Sequence, residues 1–272
     1  MLVMNENFKV AVIIPFYRDT IFEYEQIALD QCEKVLSNYP IIAIKPESLV
    51  LPEAADKYSF FKTVSFEDKY FKGIKGYNSL MLSDLFYSKF LEYEYILIYQ
   101  LDAFVFKDEL DFWCKQGYDY IGAPWIRNKV YPNIFKELAS RFLFKVHTRF
   151  DLKKNGLPTK KQFDNKVGNG GFSLRRVQKF YEISKKMRPE IAKYLERDEH
   201  EYNEDAFWSI EANRNKKRLK IPSYKIGLKF SIEIFPYRAF KTNNEQLPFG
   251  CHAWDIHPDF WRPIFKQFGY TI

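Results

Sequence analysis

Four short stretches of this sequence place reactive side chains where chemistry could use them. The first is Tyr95-Ile-Leu-Ile-Tyr-Gln-Leu101, seven residues without a charge, ending on Asp102. A carboxylate at the C-terminal edge of a central strand sits where open α/β sheets bind ligands; the competing role is an Asp capping the next turn. The second is Val167-Gly168-Asn169-Gly170-Gly171-Phe172, where three of the chain's eleven glycines fall within four positions. Such a turn allows positive φ or close backbone approach, and its N–H groups can hold an anion or a sugar hydroxyl; a plain tight turn needs the same residues. It lacks the Lys-Ser/Thr pair of a P-loop and the GxGxxG spacing of a dinucleotide site. The third is Asn203-Glu204-Asp205 ahead of Ala206, Phe207 and Trp208. Acids at a helix start complement its dipole, and they also suit a general base acting on an acceptor hydroxyl. The fourth is Phe249-Gly-Cys-His252-Ala-Trp254, a lone His between a Gly turn and a Trp, in a segment too irregular for a packed helix.

The elements that must position these groups follow from periodicity. Residues 9–14 are a compact β-branched run closed by Pro15, which reads as a buried strand. A helical stretch capped by Thr20 runs to about residue 38, and a second apolar run follows at 41–44. Strand, helix, strand at this spacing begins a βαβ unit and a parallel sheet. Gly73-Ile-Lys-Gly-Tyr-Asn78 precedes a helix over about 79–91, then comes the strand ending at Leu101. Residues 103–106 continue extended, 118–124 read as a strand with a turn, and 172–174 as a short strand before a helix over 177–186. Asn203 opens a further helix. No internal repeat and no Pro/Gly/Ser linker divides the chain.

Composition bounds the answer further. The 272 residues are 46% hydrophobic and 19% aromatic, which supplies a sizeable core and excludes wholesale disorder. Cys32, Cys114 and Cys251 have neither metal-ligand spacing nor a disulfide framework, which points to a reducing compartment. The first apolar run is seven residues long, so a buried strand is expected there rather than a signal peptide or membrane span. One segment departs from the rest: residues 127–161 hold ten of the 42 Lys and Arg but two of the 35 acids, a local +8 against +7 for the whole chain. Within it Ile134, Leu138, Phe142 and Val146 lie four apart, as do Arg141, Lys145 and Arg149. A helix there presents an apolar stripe beside a basic one, either packed on the domain or serving as an adsorption surface.

Taken in chain order, these motifs resemble a GT-A type glycosyltransferase over residues 9–254, and are similar to a group of bacterial and fungal GT-A-like proteins. The residues that carry the likeness are the strand ending at Pro15, Gly76-Tyr77-Asn78, Gln100-Leu-Asp102-Ala-Phe-Val, Asn169-Gly-Gly-Phe-Ser-Leu-Arg175, Asn203-Glu-Asp205 and Cys251-His-Ala-Trp254. The resemblance implies an α/β fold, with a Rossmann-like, mostly parallel central sheet flanked by helices in one domain. Residues of about 9–125 would be the nucleotide-binding half, about 126–166 a basic helical excursion, and about 167–272 the acceptor half. It implies a hexosyltransferase-like enzyme that moves a sugar from a nucleotide-sugar donor to a hydroxyl of a glycan or lipid-linked acceptor.

Residue by residue, the resemblance assigns Pro15, Tyr17, Arg18, Gly76, Tyr77, Asn78, Gln100 and Asp102 to the donor. Asn169, Gly170, Gly171 and Trp254 fall in the sugar and acceptor pocket. Asp205 is the first choice for the catalytic base and Glu204 the second. Asp102 and His252 are implied as ligands of a divalent metal, Mn²⁺ or Mg²⁺. The family's D-x-D is reduced here to one acid. Either Gln100 takes the first Asp position, or Asp102 takes it and Phe104 the second; both registers lower metal affinity. A GT-A protein that binds nucleotide or glycan without turnover is the alternative. Nucleic acid is not expected, since the basic residues are confined to one stretch without an RNP, helix-turn-helix or zinc pattern. The expected location is cytoplasmic, with the basic segment able to meet an anionic inner membrane face. Inverting and retaining stereochemistry both remain open.

Overall fold

The first strand, β1 (Val10–Pro15), is buried at every position. Its residues serve two cores by simple alternation: Ala11 and Ile13 pack on one face of the sheet, Val10, Val12 and Ile14 on the other. A strand covered on both faces has no solvent side, which is why its sequence carries no polar alternation. The computed structural model describes residues 9–58, 60–127 and 133–272.

From β1 the chain runs through α1 (Glu23–Leu36), β2 (Ile41–Pro46), β3 (Lys62–Phe66), α2 (Gly73–Met81), α3 (Asp84–Ser88) and β4 (Tyr95–Tyr99). Next come β5 (Phe104–Val105), α4 (Leu110–Lys115), β6 (Tyr120–Gly122), β7 (Pro124–Trp125), α5 (Ile134–Arg149) and a small hairpin of β8 (Lys153–Lys154) and β9 (Leu157–Pro158). After β10 (Lys166–Val167) and β11 (Phe172–Arg176) follow α6 (Val177–Lys186), α7 (Arg188–Leu195) and α8 (Glu204–Ala206). A π-helical turn at Phe207–Glu211 joins α8 to α9 (Ala212–Arg214). The chain ends with α10 (Tyr224–Phe230), β12 (Ser231–Ile232), α11 (Pro236–Thr242), β13 (Gly250–Cys251) and α12 (Pro258–Gln267). The central sheet has six strands in the order β3-β2-β1-β4-β11-β6, and β11 runs antiparallel to both of its neighbours. A second sheet, β12-β13-β5, stands on its own hydrophobic cluster, in which Phe104, Trp254, Trp261 and Phe265 pack together. The result is an α/β fold with a mostly parallel sheet, as the sequence predicts.

Local departures have physical causes. Helix α1 begins at Glu23 rather than after Thr20, because the Glu25 carboxylate accepts the Phe22 N–H at 2.8 Å and satisfies the first turn itself. The Gly73–Asn78 stretch lies inside α2 instead of ahead of it. Gly73 takes φ +67° at the helix start, and a new helix begins where the Ser83 hydroxyl accepts the Phe86 N–H. Strand β3 is not anticipated from its sequence, since Lys62 and the partly exposed Thr63 to Ser65 give an edge strand little apolar signal.

The basic excursion leaves from β7 and returns through β10, which pair antiparallel with Val167 opposite Pro124. Residues 128–132 of it lie outside the described residues. Helix α5 turns Ser140 and Phe144 inward, while Ile134, Leu138 and Phe142 face away from the protein. The helix packs on the domain through Ser140 and Phe144, as the plainer of its two readings expects, but of its apolar stripe only Val146 is half-buried and Ile134, Leu138 and Phe142 stay exposed.

Candidate active site

The C-terminal end of β4 and the small sheet meet at one point. Beyond Tyr99 the chain leaves the central sheet in a turn closed by the Ala103 N–H on the Gln100 carbonyl at 2.9 Å, so Asp102 projects from the strand edge. Two residues later β5 pairs antiparallel with β13, with Phe104 opposite Cys251, which sets His252 beside Asp102. Strand β12 pairs parallel with β13, with Ile232 opposite Cys251, and the next residue, Glu233, falls on the other side of the imidazole. The geometry is tight: His252 Nε2 lies 3.1 Å from Asp102 Oδ1 and 3.1 Å from Gln100 Oε1. On the opposite ring edge, Nδ1 lies 3.3 Å from Glu233 Oε1 and 3.1 Å from Asn169 Nδ2. Burial disfavours a charged ring, but Asp102 and Glu233 outweigh it and hold the imidazole pKa at about 10. Burial opposes Asp102 ionisation too, and His252 wins, leaving that carboxyl below its ordinary value.

The glycine turn is built around these side chains. A Cβ on Gly171 would overlap His252 Nε2 and lie 2.5 Å from Gln100 Oε1; one on Gly170 would overlap Glu204 Oε1. Neither glycine has positive φ, so close approach and not backbone conformation demands them. Asn169 locks the turn: its Oδ1 accepts the Phe172 N–H at 3.0 Å, and its own N–H donates to Tyr120 Oη at 3.0 Å. The Gln100 N–H donates to the Gly171 carbonyl at 2.8 Å, which pins the turn to the end of β4.

Beneath the turn, Arg175 and Glu204 form an ion pair at 2.9 Å with side chains 0% and 3% exposed. Arg175 also donates to Tyr87 Oη at 2.9 Å, Ser173 Oγ at 3.0 Å and the Gly170 carbonyl at 3.3 Å. Burial raises the Glu204 carboxyl above its ordinary value despite the guanidinium beside it. Asn78 fixes the start of α8, accepting the Glu204 N–H at 3.1 Å and donating to Asn203 Oδ1 at 3.0 Å. The next residue, Asp205, is half-buried; burial first, then Glu204 and Glu233, push its pKa to about 7. A carboxyl poised there exchanges protons at neutral pH, as a general base must.

The remaining residues singled out in the sequence divide. Tyr17 follows β1; the residue is 36% exposed, its ring lies 5.9 Å from that of Phe71 and 6.2 Å from that of Tyr77, and burial pushes its phenol well above its ordinary pKa. Pro15 is buried at the end of β1. Arg18 turns away to Glu25 at 2.6 Å and lies over the Phe22 ring at 4.1 Å. Gly76 is fixed by packing, since a Cβ would come 2.5 Å from the Lys69 carbonyl oxygen. Trp254 is 2% exposed, with its ring 4.8 Å from that of Phe265 in the cluster behind the small sheet. Phe104 is wholly buried in β5, so of the two registers the one using Gln100 and Asp102 brings two oxygens to His252.

Two residues of the site escape the sequence reading. Glu233 is the single acid between Ile232 and Ile234, an isolated charge in an apolar run that could have flagged it; its Oε2 is buried without a hydrogen-bond partner among the described residues. Arg175 closes the Gly-Gly-Phe-Ser-Leu motif, and nothing in its spacing separates it from a solvent-facing strand end. Among the described residues no three His, Cys, Asp or Glu side chains form a metal cluster. The donor set at His252 Nε2 is instead one carboxylate, one amide oxygen and one imidazole. Ligands at about 2.1 Å from an octahedral ion stand about 3 Å apart, and His252 Nε2 lies at that separation from both the Asp102 and the Gln100 oxygen. A carboxylate at the far ring nitrogen is also the usual partner of a metal-bound His. The set fits Mn²⁺ or Mg²⁺.

The fold is similar to that of the galactosyltransferase LgtC. A crystal structure of that enzyme with donor and acceptor sugar analogues matches over 89% of this chain and 86% of that one, with a TM-score of 0.55 and 12% identity. An active-site mutant of the same enzyme matches over the same shares, with a TM-score of 0.55 and 14% identity. The fold is thus GT-A-like. No curated protein sequence matches the chain significantly. The family model described as "Protein of unknown function (DUF5672)" matches residues 60–252, from the edge of β3 to His252, and the chain belongs to that family.

Proposed function

We propose that this protein is a glycosyltransferase that moves a sugar from a nucleotide-sugar donor to a hydroxyl of a glycan or lipid-linked acceptor. The observation that carries the reading is the convergence of Gln100, Asp102 and His252 at the C-terminal edge of β4, next to a base-like Asp205 across the glycine turn. The fold it shares with LgtC, an enzyme crystallised with donor and acceptor sugar analogues, supports it. In this reading residues 9–125 form the donor half and 167–272 the acceptor half.

Asp102, Gln100 and His252 would hold a divalent ion, whose charge offsets that of the departing diphosphate. Glu233 orients the imidazole by accepting from Nδ1–H, so that Nε2 faces the cleft. Tyr17, partly exposed beyond β1, offers its ring to the nucleobase, and the Gly170–Gly171 backbone lets the sugar approach closely. Asp205 takes the acceptor proton as the anomeric carbon is attacked, in the inverting form of the reaction. Glu204 is a positioning residue, since Arg175 holds its carboxylate in the interior.

Calorimetric titration with UDP and GDP, with and without Mn²⁺, tests the donor assignment, and radiolabelled sugar transfer or donor hydrolysis tests turnover. Metal-dependent nucleotide binding that is lost in Asp102→Ala is expected. Binding without turnover against a broad acceptor set would favour a non-catalytic GT-A protein, and no nucleotide binding in either condition would overturn the reading.

A further inference from the structure

We propose that the outward face of α5 is an anionic-membrane docking surface, with its apolar side chains entering the lipid interface and its cations pairing with acidic headgroups. Helix α5 spans 16 residues, about 24 Å at 1.5 Å per residue. Ile134, Leu138 and Phe142 are 64, 53 and 66% exposed, and Phe135 is 79% exposed. At about 100° per residue these four lie within an arc of roughly 100° on one side of the helix, opposite the inward-facing Ser140 and Phe144. An exposed cluster of this kind on a soluble surface marks a contact with something apolar.

The charges decide what that something is. Lys145 and Arg149 fall inside the same arc and Arg141 stands at its edge, while Lys136 is exposed farther round the helix. Glu137, the helix's single acid, sits toward the inner side and pairs with Arg141 at 2.7 Å. The surface extends past the helix through Phe150, which is 70% exposed, and the exposed Lys153 and Lys154 of β8. Apolar side chains interleaved with Lys and Arg describe a helix lying in the headgroup plane, about 5–10 Å deep, with the long cationic chains reaching back to phosphates. A second copy of this chain is disfavoured, because a two-fold contact through this face would set its own cations against each other. A nucleic acid would satisfy the cations but leave Ile134 and Leu138 without an apolar partner.

The excursion returns through β10, and the two residues after Val167 lead into the glycine turn. The docking inference stands on the α5 surface alone and does not require glycosyl transfer.

The test is co-flotation of the full chain with phosphatidylcholine vesicles, with and without phosphatidylglycerol. Binding is expected to the anionic vesicles, and to weaken several-fold as salt rises from about 0.1 to 1 M and the Debye length falls from about 10 to 3 Å. Each interfacial cation contributes about fivefold to partitioning, so Lys145→Gln/Arg149→Gln should bind about 25-fold less. Phe135→Ser/Phe142→Ser should lose at least tenfold, with an unchanged melting temperature because both rings are exposed. Equal binding to both lipids, binding to neither, or variants that bind like the wild type would overturn the proposal. So would wild-type self-association in sedimentation equilibrium that disappears in the Phe variant while vesicle binding is absent.

Discussion

Replacing Arg175 by Met should destabilise this protein more than its size suggests, and the reason lies in what is left behind. The guanidinium is wholly enclosed and pairs with Glu204 at 2.9 Å. Its other partners survive the loss: the Gly170 carbonyl keeps the Ser173 hydroxyl at 3.1 Å, and the Tyr87 hydroxyl still donates to the Met81 carbonyl at 2.8 Å. Glu204 does not, because its carboxylate would stay in the interior with no counter-charge. Removing one partner of a buried pair costs about 3–5 kcal/mol. At about 2 °C per kcal/mol for a chain of this length, the melting temperature should fall by about 6–10 °C. The pH dependence has a definite sign. An isolated buried Glu204 titrates above its unfolded value, so its penalty is small in acid and grows as pH rises, by no more than about 1.4 kcal/mol per unit. Urea unfolding followed by tryptophan fluorescence, at about pH 5 and pH 8, should show the larger deficit at the higher pH. The double variant Arg175→Met/Glu204→Leu removes both charges and should recover most of the loss. A deficit under about 1 kcal/mol, a deficit equal at both pH values, or a double variant no better than the single would refute this account of the pair.

Asp205→Asn should lower transfer by at least about a hundredfold while leaving nucleotide affinity within twofold, because a base acts in the transition state. Since Asp205 is protonated below about 7, the wild-type rate should rise with pH through that value, and the variant should lose this limb. Parallel loss of affinity and rate would remove Asp205 from the chemistry. Gly171→Ala places a methyl where the His252 ring lies and should abolish metal-dependent nucleotide binding, with a stability loss of about 1–3 kcal/mol from overpacking. Wild-type nucleotide affinity in that variant would show that His252 is not needed where it sits.

The parts of this fold that could be read from the sequence are those in which one residue's neighbours decide its role. The charge-free run before Asp102 became β4, and the periodicity over 177–186 became α6 with those bounds. Where distant segments decide, reading stopped. The spacing of Ile134, Leu138 and Phe142 identified a helix, but which face is buried depends on what Ser140 and Phe144 meet across the fold. The glycines at 168–171 signalled a turn, yet their requirement comes from His252 and Glu204 lying against them. Edge strand β3 carries too few apolar residues to announce itself. Glu233 joins the site through the pairing of β12 with β13, and no local pattern encodes that register.

The distances along the chain between the cleft's members bear on how the protein is made. His252 meets Gln100 across 152 positions, and Glu233 and Glu204 also come from beyond the central strand. At about 5–20 residues per second, a ribosome needs roughly 8–30 s to add the residues between them. For that interval Asp102 can stand at the edge of a finished β1–β4 sheet without its imidazole, and the glycine turn at 168–171, though tied to β4 and Tyr120, lacks the His252 ring that packs against Gly171. The nascent chain thus presents an assembled scaffold with an open, acidic edge before the segments carrying Glu233 and His252 have been made.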